Sequence, residues 1–265
     1  MIQLQGYRGE TLIYSGPKTL IYRGQRLDNG QPVLLKLLKA EYPTFAELVR
    51  FRHQYTIAKS LDLPGVVQPL ALEEYRHQYV IVLPDEGYVD LAAHFQPPIS
   101  LAEFFPLALQ LTQLLQELHQ RRIIHKDIKP QNILIHPDTQ HIKLTDFSLA
   151  SELPKENPVL NNPQVIEGTL AYLSPEQTGR MNRGVDYRAD FYALGVTFYE
   201  LLTGQLPFQT TDPMALVYCH LTQQPQLLSE VNPAVHEGLC ALVLELMAKM
   251  AEDRSQSAFG LLCDL

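Results

Sequence analysis

The stretch IIHKDIKPQNILI, from Ile123 to Ile135, sets an acid, Asp127, between two lysines and brackets the group with isoleucine and leucine. Apolar flanks mark a buried or half-buried segment. An unpaired charge in such a place is costly, so the polar centre from His125 to Asn132 needs a purpose. Taken alone, a solvated surface turn is the better account, because Lys-Pro and Asn favour turns. Two further positions change the weighing. Lys36 ends PVLLK, so a cation projects from a strand among apolar neighbours, and Asp146 follows KLT at the end of another strand. A lysine, two aspartates and an asparagine that converge suit Mg²⁺ and a triphosphate, since hard oxygen ligands hold Mg²⁺ and a lysine neutralises phosphate. They spell out neither a zinc site nor a Ser-His-Asp arrangement.

The elements that must position these groups divide the chain in two. The first hundred residues read mostly as strands: TLIY, KTLIYRGQRL, QPVLLKLLK, VVQPLALEEY and QYVIVL, with Asp28-Asn29-Gly30 as a hairpin turn. A helix is predicted over 44–61, with Phe45, Leu48, Val49 and Ile57 available for one face. Beyond PDEGYVDL, Ser100 and Glu103 form a capping-box pattern ahead of a long helix striped by Leu107, Leu111, Leu114, Leu115 and Leu118. A proline- and asparagine-rich segment covers Leu153 to Gln164, and the chain from Ala189 onward is largely helical. The fold class expected is α+β: a small antiparallel β-rich lobe over 1–84 with one main helix, and a larger mainly helical lobe over 85–265, with a cleft between them.

Composition sets the outer bounds. The 265 residues carry 29 acids against 21 bases, a net charge of −8, which argues against a nucleic-acid or anionic-membrane surface. The three cysteines, Cys219, Cys240 and Cys263, lie in apolar contexts without metal-ligand spacing, so buried reduced thiols are expected. No basic start precedes an apolar block, and no apolar run reaches about 18 residues. The expectation is a soluble, cytoplasmic chain with neither signal peptide nor membrane span.

Along essentially its whole length the chain resembles the eukaryotic-type Ser/Thr protein kinase domain. HKDIKPQN looks like the catalytic loop, TDFS the metal-binding segment and GTLAYLSPE the end of the activation segment. DYRADFYALGVTFYELLTGQLPF looks like the helix that anchors the second lobe, and EDRSQSA like the closing arginine motif. The motifs occur in order at near-standard spacings, which makes accidental agreement very improbable. A narrower similarity, in SPEQTGRMNRGVDYRADFYALGVTFYELLTGQLPF, is to the amino-terminal kinase domains of large bacterial hybrid sensor kinases. It implies ATPase-like, GAF and histidine kinase modules further along the same polypeptide, the present chain being the first domain of such a protein.

What the resemblance implies transfers residue by residue. Asp127 would accept or orient the proton of the attacking hydroxyl, Lys129 would steady the γ-phosphate, and Thr169 would help place a protein substrate. Asn132 and Asp146 would hold Mg²⁺, and Lys36 would contact the α/β-phosphates of ATP. Adenine would lie by Ile21, Leu34 and Leu134, beside a hinge at Pro84, Asp85 and Glu86, with Leu83 guarding the back. Glu176 with Arg254 would form a buried ion pair, and Asp190 would support the catalytic-loop backbone.

The pattern also breaks. The phosphate-covering loop should carry three glycines, and YSGPKT retains only Gly16. The helix of the first lobe should offer Lys36 a glutamate; that position is Gln54, with Glu47 two turns earlier as a conceivable substitute. TDFS has Ser148 where glycine is usual, and Lys126 replaces the arginine that grips a phosphorylated activation loop. From Glu152 through Gly168 there is no serine, threonine or tyrosine, so phosphorylation inside that window is excluded and regulation by partner contacts is expected. Three readings follow. The first is an active Mg-ATP-dependent Ser/Thr kinase acting on proteins, favoured and expected to be slow. The second is a pseudokinase serving as a nucleotide-binding or docking module, and the third a small-molecule phosphotransferase, which GTLAYLSPE and Lys129 argue against.

Overall fold

The computed structural model describes residues 2–152 and 169–265; the segment from Leu153 to Gln164 lies outside the described residues. Two compact units emerge. The first comprises Met1–Tyr88, His136–Thr139 and Lys143–Ser148; the second Val89–Ile135, Gln140–Ile142 and Leu149–Leu265.

The first unit is built on a six-stranded antiparallel sheet of β1 (Ile2–Leu4), β2 (Tyr7–Ser15), β3 (Thr19–Arg26), β4 (Pro32–Leu38), β5 (Ala71–Tyr75) and β6 (Gln78–Pro84), in the order β1-β2-β3-β4-β6-β5. Period-two alternation in β4 explains its two faces. Val33, Leu35 and Leu37 join Val80, Val82, Ile2, Leu4 and Tyr7 in one cluster. On the opposite face, Leu38 packs with Phe51, Ile81 and Leu83. Helix α1 (Phe45–Ser60) lies on that second face and starts at a capping box in which Thr44 and Glu47 exchange hydrogen bonds. Its buried side is Phe51, Gln54, Ile57 and Ala58. The predicted apolar face is corrected in part: Ile57 is buried and Leu48 packs against the second cluster, whereas Phe45 is 83% exposed and Val49 49%. Phe51, Gln54, Ile57 and Ala58 together set the rotation of this helix. The predicted strand VVQPLALEEY shortens to Ala71–Tyr75, since Pro69 has no N–H for a ladder.

Past Pro84 the first unit runs on to Tyr88, and ion pairs explain why. Arg23 holds Asp85 at 2.5 Å, Lys143 holds Glu86 at 2.5 Å, and the Lys143 ammonium sits 4.8 Å from the centre of the Tyr88 ring. Residues 143–148 belong there too, because Leu144 donates its N–H to Gly65 and accepts from Val67.

In the second unit, the short strand β7 (Val89–Asp90) leads into α2 (Leu91–His94) and then α3 (Leu101–Gln120). The Ser100–Glu103 capping box is present, and the stripe Leu107, Leu111, Leu114, Leu115 and Leu118 is buried as the periodicity predicts. β8 (Ile123–Ile124) precedes β9 (Ile133–Ile135), which pairs with β7. Only Ile142 of β10 (Ile142–Leu144) belongs to this unit. β8 itself pairs antiparallel with β11 (Ser151–Glu152). The remaining helices are α4 (Arg188–Thr203), α5 (Pro213–Thr222), α6 (Leu228–Val231), α7 (Glu237–Leu246) and α8 (Ala258–Asp264). α4 is buried on nearly every side, and at Gly195 a side chain would stand 2.8 Å from the Leu246 Cβ of α7, so only glycine allows this approach. Cys219 and Cys240 are buried as expected, whereas Cys263 is exposed because α8 turns Ala258 and Leu261 inward instead.

Candidate active site

The first unit gathers Lys36, Gln54 and Asp146. Strand register places Lys36 opposite Ile21 on one side and Ile81 on the other, on the same face as Leu34, which lies opposite Leu83. Lys36 is 5% exposed, and its ammonium donates to Gln54 Oε1 at 3.2 Å and pairs with Asp146 Oδ2 at 3.2 Å. Asp146 lies just past β10 in the left-handed region (φ +62°), a conformation that aspartate tolerates better than most residues. The clamp of Leu144 by Gly65 and Val67 fixes the strand end from which it projects.

Several expectations for this unit meet a more specific arrangement. Glu47 does not stand in for the missing glutamate: its carboxylate accepts from the Thr44 amide and hydroxyl at 2.8 Å each, and these bonds hold it below the usual carboxylate range. The amide of Gly16 donates to the Thr19 carbonyl at 2.9 Å, closing the β2–β3 turn, and the Tyr14 ring folds over it so closely that a side chain at 16 would clash. Gly16 thus completes a hairpin and offers no free amide. The Glu86 carboxylate is taken by Lys143 and that of Asp85 by Arg23, so any nucleotide contact at this hinge falls to its backbone. Pro84 and Leu34 are half-buried, Ile21 likewise, and Leu83 is buried.

The second unit gathers Asp127, Lys129, Asn132 and Thr169. Four donors converge on the Asp127 carboxylate. Lys129 Nζ at 2.6 Å and Asn132 Nδ2 at 2.7 Å meet Oδ2, while the Thr169 hydroxyl at 3.0 Å and amide at 3.2 Å meet Oδ1. Lys129 also donates to the Thr169 hydroxyl. Asn132 ends a 3₁₀ turn opened by Pro130, and its Nδ2 also holds the Asp127 carbonyl at 2.8 Å, so the amide turns its carbonyl oxygen away from Asp127. Leu134, half-buried between the buried Ile133 and Ile135, faces the opposite side of β9.

Beneath this loop lies Asp190, fully buried near the start of α4. It accepts from the amides of His125 at 3.0 Å and Lys126 at 2.7 Å, and bonds His119 Nε2 at 2.9 Å. Burial pushes its carboxyl up, but these hydrogen bonds and the histidines outweigh burial and leave it below the usual range. Lys126, itself left-handed (φ +67°), is pinned from both ends, because its carbonyl accepts from Gln177 at 2.9 Å. Glu176 and Arg254 form a bidentate pair at 2.7 and 2.8 Å, both fully enclosed.

Two residues that sequence reasoning missed complete the floor. Tyr172 donates to Glu200 at 2.5 Å, and burial pushes both groups up. His220 of α5, which packs beneath the turn Leu170–Tyr172, bonds the Tyr192 hydroxyl at 2.9 Å. Burial first, and the Lys249 charge second, push His220 down to about 4. A tyrosine in GTLAYL and a glutamate in TFYELL were visible, but their pairing needs the tertiary fold.

Comparison with known proteins agrees with this geometry. The model of the protein kinase domain matches residues 7–261. The chain belongs to the protein kinase domain family. Among its relatives are the serine/threonine-protein kinase Pkn1 of Myxococcus xanthus, 32% identical over 89% of this chain and 34% of that protein, and PrkC of Bacillus subtilis, 30% identical over 96% and 39%. PknB of Mycobacterium leprae is 33% identical over 88% of this chain and 38% of that protein. The chain thus spans little more than a third of the length of these relatives. Among the described residues, no helix is long and apolar enough to cross a membrane.

Proposed function

We propose that this kinase domain transfers the γ-phosphate of ATP to serine or threonine hydroxyls of proteins. The observation that carries the reading is the Asp127 carboxylate, held by Lys129, Asn132 and Thr169 at hydrogen-bonding distance. In the proposed step the acceptor hydroxyl forms the new O–P bond as the bond from the γ-phosphorus to the ADP oxygen breaks. The hydroxyl replaces Thr169 Oγ1 at Asp127 Oδ1 and gives its proton to the carboxylate. Lys129 supplies a cation beside the transferring group, and Lys36 leaves Asp146 to meet the α/β-phosphates. Adenine is assigned to Ile21, Leu34, Leu83 and Leu134, with backbone contacts from Pro84 and Glu86.

The donor set fits Mg²⁺. Asn132 presents an amide oxygen and Asp146 a carboxylate, both hard ligands, and no group of three His, Cys, Asp or Glu side chains forms a metal cage among the described residues. Mg²⁺ favours such sparse protein coordination completed by water and phosphate. When bound, it would neutralise charge on the phosphate oxygens.

A second reading, a pseudokinase acting as a nucleotide-binding or docking module, is favoured by Gln54 and by the committed amide of Gly16. One comparison separates the two. Transfer of labelled γ-phosphate to a generic protein acceptor should occur with the unaltered chain and fail with Asp127→Asn. ATP-induced thermal stabilisation of both with no transfer by either would favour the module. Operation beside sensor and histidine kinase modules is supported by the 174–208 block, and independence from activation-loop phosphorylation by the Ser/Thr/Tyr-free window 152–168.

A further inference from the structure

We propose that Gln54 makes the phosphate end of the nucleotide site accept nucleoside di- and triphosphates with little dependence on a divalent metal. The inference rests on the nucleotide reading above. Its basis is a charge count around a buried ammonium. Lys36 is 5% and Gln54 6% exposed, so neither is well screened by water. The partners of Lys36 are a neutral amide oxygen and a single carboxylate, Asp146, each at 3.2 Å. One positive and one negative charge sum to zero. A carboxylate at 54 would make the same cluster net negative, and a polyphosphate entering beside it would need a cation to offset the surplus.

The acids that flank this place are committed elsewhere. Glu47, the nearest acidic residue on α1, is spent on the exposed helix cap with Thr44. The other carboxylates of the segment next to β6, Asp85 and Glu86, are paired with Arg23 and Lys143. The amide has a second consequence. When a phosphate draws Lys36 away from Asp146, Gln54 does not compete for the ammonium as a carboxylate would, because it offers dipole attraction only. It also carries an N–H₂ donor, which glutamate lacks. Both effects favour the metal-free anion. The glutamine is therefore a specificity-determining residue for the charge state of the bound nucleotide.

The test is calorimetric titration of the chain with ADP and with ATP, in EDTA and in Mg²⁺, for the unaltered protein, Gln54→Glu and Gln54→Leu. For the unaltered chain, affinities with and without metal should agree within about tenfold. In Gln54→Glu, metal-free affinity should fall by about tenfold or more while affinity with Mg²⁺ holds, as expected for one added unit charge a few ångströms from phosphate. Gln54→Leu, which removes the amide without adding charge, should lower metal-free affinity by less than Gln54→Glu does. Circular dichroism checks that each variant is folded. Binding that requires Mg²⁺ equally in the unaltered chain and in Gln54→Glu would overturn the proposal while leaving the nucleotide reading intact. Absence of binding under every condition would overturn the nucleotide reading itself, and this inference with it.

Discussion

The surroundings of Asp127 and of Lys36 differ in how they treat a charge. Asp127 is met by four donors, one of them a lysine, and its loop rests on a second buried carboxylate, Asp190, which takes two backbone amides and a histidine. Lys36 has one neutral acceptor and one carboxylate, and the glycine of the adjoining turn has already used its amide. Asp127 and Asp190 are each held by several donors, some of them backbone amides fixed by the fold, so the first arrangement is rigid where the second, with two side-chain ties, is replaceable. The difference teaches where a kinase domain can vary. A group that must hold a proton acceptor in one orientation is over-determined, whereas a group that must hand its cation to an incoming phosphate works with fewer and weaker ties.

The sharpest way to break this comparison is to remove the acceptor itself. Asp127→Asn should lower phosphate transfer by about 10²–10⁴-fold, the usual range for a positioned base. Thermal stabilisation by ATP should persist, since no nucleotide-holding group is altered. Equal loss of nucleotide binding would show that the two regions are not separable. Paired deletions then compare the supports. Asp190→Ala strands a histidine and two buried amides and should destabilise the fold by about 3–5 kcal/mol, as for a broken buried charge arrangement. Gln54→Ala leaves Lys36 its carboxylate and should cost about 1.5–3 kcal/mol, the worth of a hydrogen bond to a charged group. Chemical denaturation measures both, and comparable losses would erase the distinction drawn here.

How much of this could be read from the residue string follows the same division. HKDIKPQN, TDF and the leucine stripe of α3 were legible because each is local: the chemistry and its scaffold lie within a few residues of one another. Gln54 meets Lys36 as its position predicts, and Ile57 is buried on the predicted face of α1, yet apolar Phe45 and Val49 stand in water. A buried polar residue is invisible to an apolar count. The Gly16 amide closes the β2–β3 turn on Thr19, a bond that the motif YSGPKT does not announce. The ties that hold Asp85 and Glu86 come from Arg23 and Lys143, far away in sequence. Long-range ion pairs carry no local signature.

A smaller effect extends the comparison to the floor beneath Leu170–Tyr172. His220 faces Tyr192, Phe208 and the Lys249 ammonium, and burial with that positive neighbour pushes it down to about 4, against about 6.5 for a histidine in the unfolded chain. The unfolded state therefore binds the proton first as pH falls. Stability from this residue is fully present above about pH 6.5 and declines between pH 6.5 and about 4, by up to about 3 kcal/mol. His220→Phe should flatten that part of the stability profile in urea denaturation across the range. An unchanged slope would show that the carboxylates alone set the acid limb.

The smallest effects come from the two capping boxes, which are matched in chemistry and differ in what lies behind them. Ser100→Ala and Thr44→Ala each remove one N-cap, worth about 1 kcal/mol. Behind Ser100 stands a helix whose leucine stripe is wholly buried, so its first turn cannot fray without disturbing the core. The loss should appear as a lower melting temperature of the whole domain. Behind Thr44 stand Phe45 and Val49, both exposed, and the first buried anchor of α1 is Phe51. Here the first turn can open by itself, so amide exchange at Glu47 and Leu48 should speed up while the melting temperature hardly moves. Acid should mimic both substitutions. Glu103 and Glu47 are held below the usual carboxylate range chiefly by Ser100 and Thr44, so each cap is intact above that range and is lost as pH falls through the lowered value. If Thr44→Ala instead lowers the melting temperature as far as Ser100→Ala, α1 is bound into the cooperative core. The loosely tied region would then shrink to Lys36 and its two partners.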